Sequence, residues 1–128
     1  LSDPSEEEVP VHLTNRALSD LGAIFAYTCE RWGETKAERY LDDAEAALTR
    51  ISRYPGLLQA REEFHSSLRF YVMNEHVFVC DFSTRRIFIL TILAARMDIV
   101  SRLARLEPTL VSEVELLTQQ LESLDNFR

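Results

Sequence analysis

The chain is 128 residues long, 46% apolar and 27% charged, with 3 Gly, 4 Pro and a formal charge of −7. One folded domain accounts for that length, and the composition excludes a disordered tail, a collagen-like fibre and a low-complexity linker. The longest apolar stretch, Phe88 to Ala95 with Thr91 inside it, falls well short of the roughly twenty residues a membrane span needs, and no basic-then-apolar leader opens the chain.

Residues 1–10 carry Asp3, Glu6, Glu7 and Glu8 without a base or any periodicity, which reads as an acidic, mobile lead-in. Val9, Val11 and Leu13 then alternate and predict a short strand, with Pro10 confining it to an edge or a strand start. Thr14 or Asn15 suits the N-cap of a first helix. Its apolar stripe is Leu18, Leu21, Phe25, Thr28 and Trp32, with Ile24 alongside, and places Trp32 in the core. Gly33 supplies the stop. Thr35-Lys36-Ala37-Glu38 reads as a capping box opening a second helix, whose inner face is Ala37, Tyr40, Leu41, Ala44, Leu48 and Ile51. Pro55-Gly56 ends it. A link of two or three residues makes the pair an antiparallel hairpin.

Beyond that turn the period shortens to about two residues. Strands are predicted over 68–73, 76–82 and 86–93, joined by turns at Asn74-Glu75 and Ser83-Thr84-Arg85. Ile87 to Ile92 is apolar on both faces, so the last strand should be covered on both sides. Turns this short join antiparallel neighbours. Asp98 is predicted to cap a short helix to about Leu106, ended by Pro108. Ser112-Glu113-Val114-Glu115 reads as a second capping box, followed by a seam of Val114, Leu117, Leu121 and Leu124. The expected fold class is α+β, βααβββ: a helical hairpin on a small antiparallel sheet, plus a C-terminal helix.

The acidity belongs to the ends. Residues 107–128 hold Glu107, Glu113, Glu115, Glu122 and Asp125 against Arg128. The body, 11–106, has twelve acids against thirteen bases, and its last part carries Arg85, Arg86, Arg96, Arg102 and Arg105 against Asp98. Lys36 is the only lysine among fourteen bases, an arginine bias that suits phosphate and carboxylate contacts or follows from genome composition. The acidic 107–128 segment is expected either to fold over the basic 82–106 region and compete with an acidic partner, or to be a solvated helix or oligomerisation seam.

No phosphate loop, dinucleotide fingerprint, zinc-protease pair or nucleophile elbow occurs. His12, His65 and His76 fall on different elements without ligand spacing, and are expected to be solvated or hydrogen-bonded. Cys29 and Cys80 are too few and too far apart for a disulfide framework or a metal site, so two reduced thiols in the cytoplasm are expected, with Cys80 in the core. Neither a cofactor nor a metal is called for by any motif.

Several ordered pieces do carry a resemblance. Leu13-Thr14-Asn15-Arg16-Ala17-Leu18-Ser19-Asp20-Leu21, then Tyr27-Thr28 and Arg31-Trp32-Gly33, resemble the first helix of the ParE/RelE toxin superfamily, nearest to its ParE branch. Ala37-Glu38-Arg39-Tyr40-Leu41, Leu48, Ile51 and Pro55 are similar to its second helix. Arg61, Leu68-Arg69, His76-Val77-Phe78-Val79, Ile92-Leu93 and Arg96-Met97-Asp98 follow in order. The similarity covers about 11–106, which sets an expected division into lead-in 1–10, toxin domain 11–106 and acidic helical extension 107–128.

That resemblance implies a toxin of a bacterial type II toxin–antitoxin module with a ParD-like antitoxin as partner. ParE-like toxins are associated with poisoning DNA gyrase, and RelE-like ones with cutting mRNA on the ribosome. Three departures bear on the choice. Phe70-Tyr71 follows Arg69 where a small residue and an aromatic are usual, Cys80-Asp81 replaces a Tyr-Arg pair, and Ala94-Ala95 replaces His-Gly. They take a base, an aromatic and an imidazole from the face on which RNA cleavage would be built, so a gyrase inhibitor acting by binding is expected. A ribosome-dependent endoribonuclease and a non-toxic interaction module are the alternatives. Arg61, Arg69, Arg86 and Arg96 are the expected recognition residues for target or antitoxin, with nucleic acid met only through the antitoxin complex and no membrane involved.

Overall fold

A computed structural model of the chain describes residues 8–62, 64, 67–82 and 85–126. The order is β1 (Val11–Leu13), α1 (Asn15–Trp32), α2 (Glu34–Arg53), a single 3-10 turn at Pro55–Leu57, β2 (Leu68–Met73), β3 (His76–Asp81), β4 (Ile87–Ala94) and α3 (Ile99–Asn126). The expected helical hairpin, three-strand meander and C-terminal helix are all present. Of the expected turns and acidic segments, residues 1–7, Glu63, His65, Ser83 and Thr84 lie outside the described residues.

The four strands are ordered β1-β4-β3-β2. β2, β3 and β4 form the antiparallel meander, but β1 pairs parallel to β4, Val11 opposite Ile87 and Leu13 opposite Ile89. The sheet is therefore mixed rather than antiparallel. Short turns dictate the direction only from β2 onward; β1 is separated from β4 by the whole hairpin, the long crossover that a parallel pair requires. Asn74 takes a left-handed φ of 55° at the two-residue β2–β3 turn, a conformation its short amide tolerates. Between β3 and β4 the register shifts at Val79/Cys80, leaving Leu90 as an extra residue on β4.

Both sheet faces are covered. On one side Phe78, Cys80, Ile87, Ile89 and Ile92 pack against Ala17 of α1 and Ala44, Ala47 and Ile51 of α2. On the other, Leu68, Phe70, Val77, Val79, Phe88, Leu90 and Leu93 pack against Leu103, Leu110 and Val114 of α3. Small alanines on α2 let the hairpin lie close to the sheet, which explains why Ala47 is buried while Leu41 remains 38% exposed.

Thr14 joins sheet to helix. Its hydroxyl accepts from the Ala17 amide as N-cap of α1 and donates to the carbonyl oxygens of Ile89 and Leu90. One turn further, the Asp20 carboxylate accepts from the Thr91 hydroxyl at 2.6 Å and the Ile92 amide at 2.9 Å. Of the predicted stripe, Leu21, Phe25 and Thr28 are half-buried with Ile24 alongside and Ala17 fully buried, but its two ends, Leu18 and Trp32, are 54% and 60% exposed.

Three further expectations about helix ends give way. Gly33 alone links α1 and α2 at φ 95° and ψ 164°, serving as C-cap of one and N-cap of the other. Thr35 and Glu38 therefore lie inside α2 and form no capping box. Asp98 does precede α3, accepting from the Ser101 amide and hydroxyl at 3.2 and 2.7 Å, but α3 continues through Pro108 to Asn126, so Ser112 caps nothing. Proline inside a helix costs about 3 kcal/mol in lost hydrogen bonding and clash. Leu103, Leu106, Leu110, Val114, Leu117 and Leu121, all packed on the sheet's second face, form one stripe across it and offset that cost. The acidic segment thus lies over Phe88, Leu90 and Leu93, and Glu113 meets Arg16 of α1 at 3.1 Å.

Candidate functional site

Where the hairpin turns at Gly33, the last turn of α1 and the first of α2 overhang the end of the sheet at which β2 turns into β3 and β4 ends. Between them lies a half-open cavity of about 660 Å³, lined by Ala23, Ile24, Tyr27, Thr28, Trp32, Lys36, Tyr40, Asn74, Glu75, His76, Ala94 and Arg96. The Ala95 amide donates to the Glu75 carbonyl at 2.8 Å, and the Met97 amide to the Ala94 carbonyl at 3.1 Å. Those two bonds fix the turn that carries Arg96.

The outer wall is aromatic and cationic. Tyr27 and Trp32 are 57% and 60% exposed. The Lys36 ammonium sits 4.4 Å from the centre of the Trp32 ring, and the Arg31 guanidinium spans Tyr27 at 5.8 Å and Trp32 at 6.0 Å. Such pairs hold long side chains in place at an exposed surface. The inner wall is Tyr40 against His76, edge to face at 5.3 Å. Burial pushes the Tyr40 phenol up to about 12.

The expectation of solvated or hydrogen-bonded histidines gives way at one ring nitrogen each of His12 and His76, while His65 lies outside the described residues. Among the described residues, His76 Nδ1 and His12 Nε2 are shielded from solvent without a hydrogen-bond partner, as is the Tyr40 hydroxyl. His12 stacks on Phe88 at 5.6 Å. Burial is the main cause of a lowered pKa at both; the Arg86 charge adds to it at His12, whereas Glu75 opposes it at His76. The unfolded chain takes up these protons around the ordinary 6.5, while the folded imidazoles resist them. Their contribution to stability is thus full above that value and lost as pH falls below it. The melting temperature is expected to drop between about pH 7 and about pH 5, and the His12→Gln, His76→Gln double variant to flatten that slope in a calorimetric pH series. An unchanged slope would refute this reading.

The four arginines expected to act in recognition do not form one patch. Arg61 is exposed, its guanidinium 5.6 Å from the Phe70 ring and 5.8 Å from Phe64. Arg69 lies on β2 opposite Cys80 and donates to the Leu68 carbonyl at 2.9 Å. Strand alternation puts it on the hairpin side with Tyr71 and Met73, so Arg61 and Arg69 bracket the β2 edge from opposite faces. Arg86 is half-buried just before β4, toward the same end of the sheet. Arg96 stands at the other end, on the cavity. The helical period places Trp32 in the core, so the sequence does not mark Trp32, Tyr27 and Lys36 as one site. The usable signal is a large aromatic in the last turn before a helix-ending glycine, followed by the chain's lone lysine.

Cys80 is fully buried, and burial raises its thiol pKa far above the ordinary range, so it packs as a small core residue. Among the described residues no three His, Cys, Asp or Glu side chains are grouped to hold a metal ion, and no helix is long and apolar enough to cross a membrane.

Comparison with known proteins gives a consistent result. Residues 11–99 match the family model described as the ParE toxin of the type II toxin–antitoxin system parDE. A curated relative, Toxin ParE1 of Caulobacter vibrioides, is 32% identical over 68 residues, covering 53% of this chain and 71% of that protein. A solved structure described as the chromosomal ParDE TA system from P. aeruginosa is similar in fold, with a TM-score of 0.61 at 17% identity, covering 70% of this chain and 99% of that one. With strand order, hairpin and family match in agreement, the chain belongs to the ParE toxin family of type II toxin–antitoxin systems.

Proposed function

We propose that this ParE-family toxin arrests growth by binding DNA gyrase and is neutralised by a cognate ParD-like antitoxin. The observation that carries the reading is the family match over 11–99, which spans the hairpin, the meander and all four arginines. Inhibition by binding needs only a complementary surface with a few well-placed anchors, commonly Arg, Trp and Tyr. Arg61, Arg69 and Arg86 toward one end of the sheet, and Arg96 at the other, supply such anchors. Cleavage of RNA would require a proton-transferring pair and a group to stabilise phosphorane charge. The positions where a Tyr-Arg pair would serve that chemistry hold Cys80 and Asp81, both buried.

The antitoxin would lay an amphipathic segment along the exposed side of the hairpin and extend to the β2 edge, the recurrent helix-in-groove and strand-addition modes. The second sheet face is already taken by α3, so an acidic antitoxin segment reaching it would have to compete with 107–128.

Inducing the chain alone in a bacterium is expected to cause filamentation with DNA-damage signalling, and co-expression of the antitoxin to restore growth. The Arg69→Ala, Arg96→Ala double variant is expected to lose toxicity while melting within a few degrees of the parent. Rapid translation arrest with cut mRNA would overturn the gyrase reading, and full toxicity of the double variant would overturn the site assignment.

A further inference from the structure

We infer that the cavity under the hairpin turn is a nucleotide site, taking an aromatic base together with its phosphate. The site is half-enclosed, and its 660 Å³ falls within the range of small-molecule pockets. Two features of its wall define the ligand.

First, it offers exposed π surface. Trp32 and Tyr27 stand in the outer wall more than half exposed, with Lys36 and Arg31 against them, and a flat heterocycle laid on the ring surface left open finds the stacking that single-stranded nucleic acid finds on aromatic side chains. Second, cations stand beside that surface. Lys36 is held against the Trp32 ring, and Arg96 is exposed on the sheet side of the same opening, so the opening carries two positive groups that attract a phosphate.

Other polar groups in the wall are already engaged. Thr28 donates to the Ile24 carbonyl and Asn74 to Asp43. Glu75 is exposed on the rim, where a carboxylate suits a ribose hydroxyl and disfavours a purely anionic ligand. An apolar ligand would leave both cations unused, and inorganic phosphate alone would leave the aromatics unused. The base-plus-phosphate combination uses them all. It comes from two sources, a free mononucleotide or the end of a single strand.

Trp32 is the only tryptophan in the chain, so its fluorescence reports on this cavity alone. Titration of the full chain with AMP is expected to give saturable quenching. Adenosine and inorganic phosphate are each expected to bind about tenfold more weakly than AMP, as are AMP complexes of Lys36→Ala and Arg96→Ala, two exposed positions whose replacement spares the core. An adenosine tetranucleotide binding more tightly than AMP would point to a strand end, and one binding no more tightly to the free nucleotide. The proposal is overturned if neither nucleotide nor tetranucleotide saturates a signal, or if phosphate alone matches AMP. A blocked acidic peptide containing phenylalanine that quenches Trp32 while nucleotides do not would overturn it in favour of a protein-docking site.

Discussion

Replacing Leu103 and Leu110 together by alanine should cost the protein about 4 kcal/mol or more, since a buried leucine trimmed to alanine loses 2–5 kcal/mol. Both side chains are fully buried in the cluster that closes the second sheet face. Beneath them lie Phe70, Val77, Phe88, Leu90 and Leu93, which would otherwise present a continuous apolar surface. A loss of that size is a large share of the 5–15 kcal/mol that usually holds a domain folded. Leu116→Ala, at a position 55% exposed on the same helix, should change stability by no more than about 0.5 kcal/mol. Urea denaturation followed by circular dichroism checks both. Near-equal effects of the two changes would mean that α3 is not seated on the sheet as described.

The second large effect is expected at Asp20. β1 stops at Leu13, opposite Ile89, so the β4 edge beyond it has no strand beside it. The Asp20 carboxylate takes over, accepting from Thr91 and Ile92. Asp20→Ala would strand a buried amide and a buried hydroxyl, at about 2–4 kcal/mol for the pair. Asp20→Asn keeps one acceptor oxygen and should lose roughly half as much. Amide exchange adds a local readout, because the Ile92 N–H should lose protection in both variants more than the Val79 N–H does. Equal exchange at the two amides would show that the carboxylate does not complete the strand edge.

These same elements show how far the chain could be read beforehand. Thr14 as N-cap, Gly33 and Pro55 as stops, and the Asn74 turn are local signals, each fixed by backbone chemistry within a few residues, and each is found in the structure. The strand limits were read to within a residue because alternation is strong where both faces are buried. What local signals could not carry were long-range demands. The parallel direction of β1 follows from where the crossover ends. The anchoring of α1 depends on Asp20 reaching a strand edge more than seventy residues away. The passage of α3 through Pro108 follows from a continuous apolar stripe meeting a face that the meander creates.

The site was less legible than the fold for the same reason. Arg96, which its motif marks in the sequence, lines the cavity, but the helical period places Trp32 in the core and no local signal links Tyr40 to His76. Only the turn at Gly33, placed over the end of the sheet, brings α1, α2 and the β2–β3 turn together.

The proposed function holds that this toxin works by binding its target and breaks no covalent bond. It is tested most directly by adding the purified full chain to purified DNA gyrase and measuring supercoiling. Inhibition that saturates with toxin and is reversed by the antitoxin is the predicted result. Supercoiling at the full rate in the presence of excess toxin would contradict it.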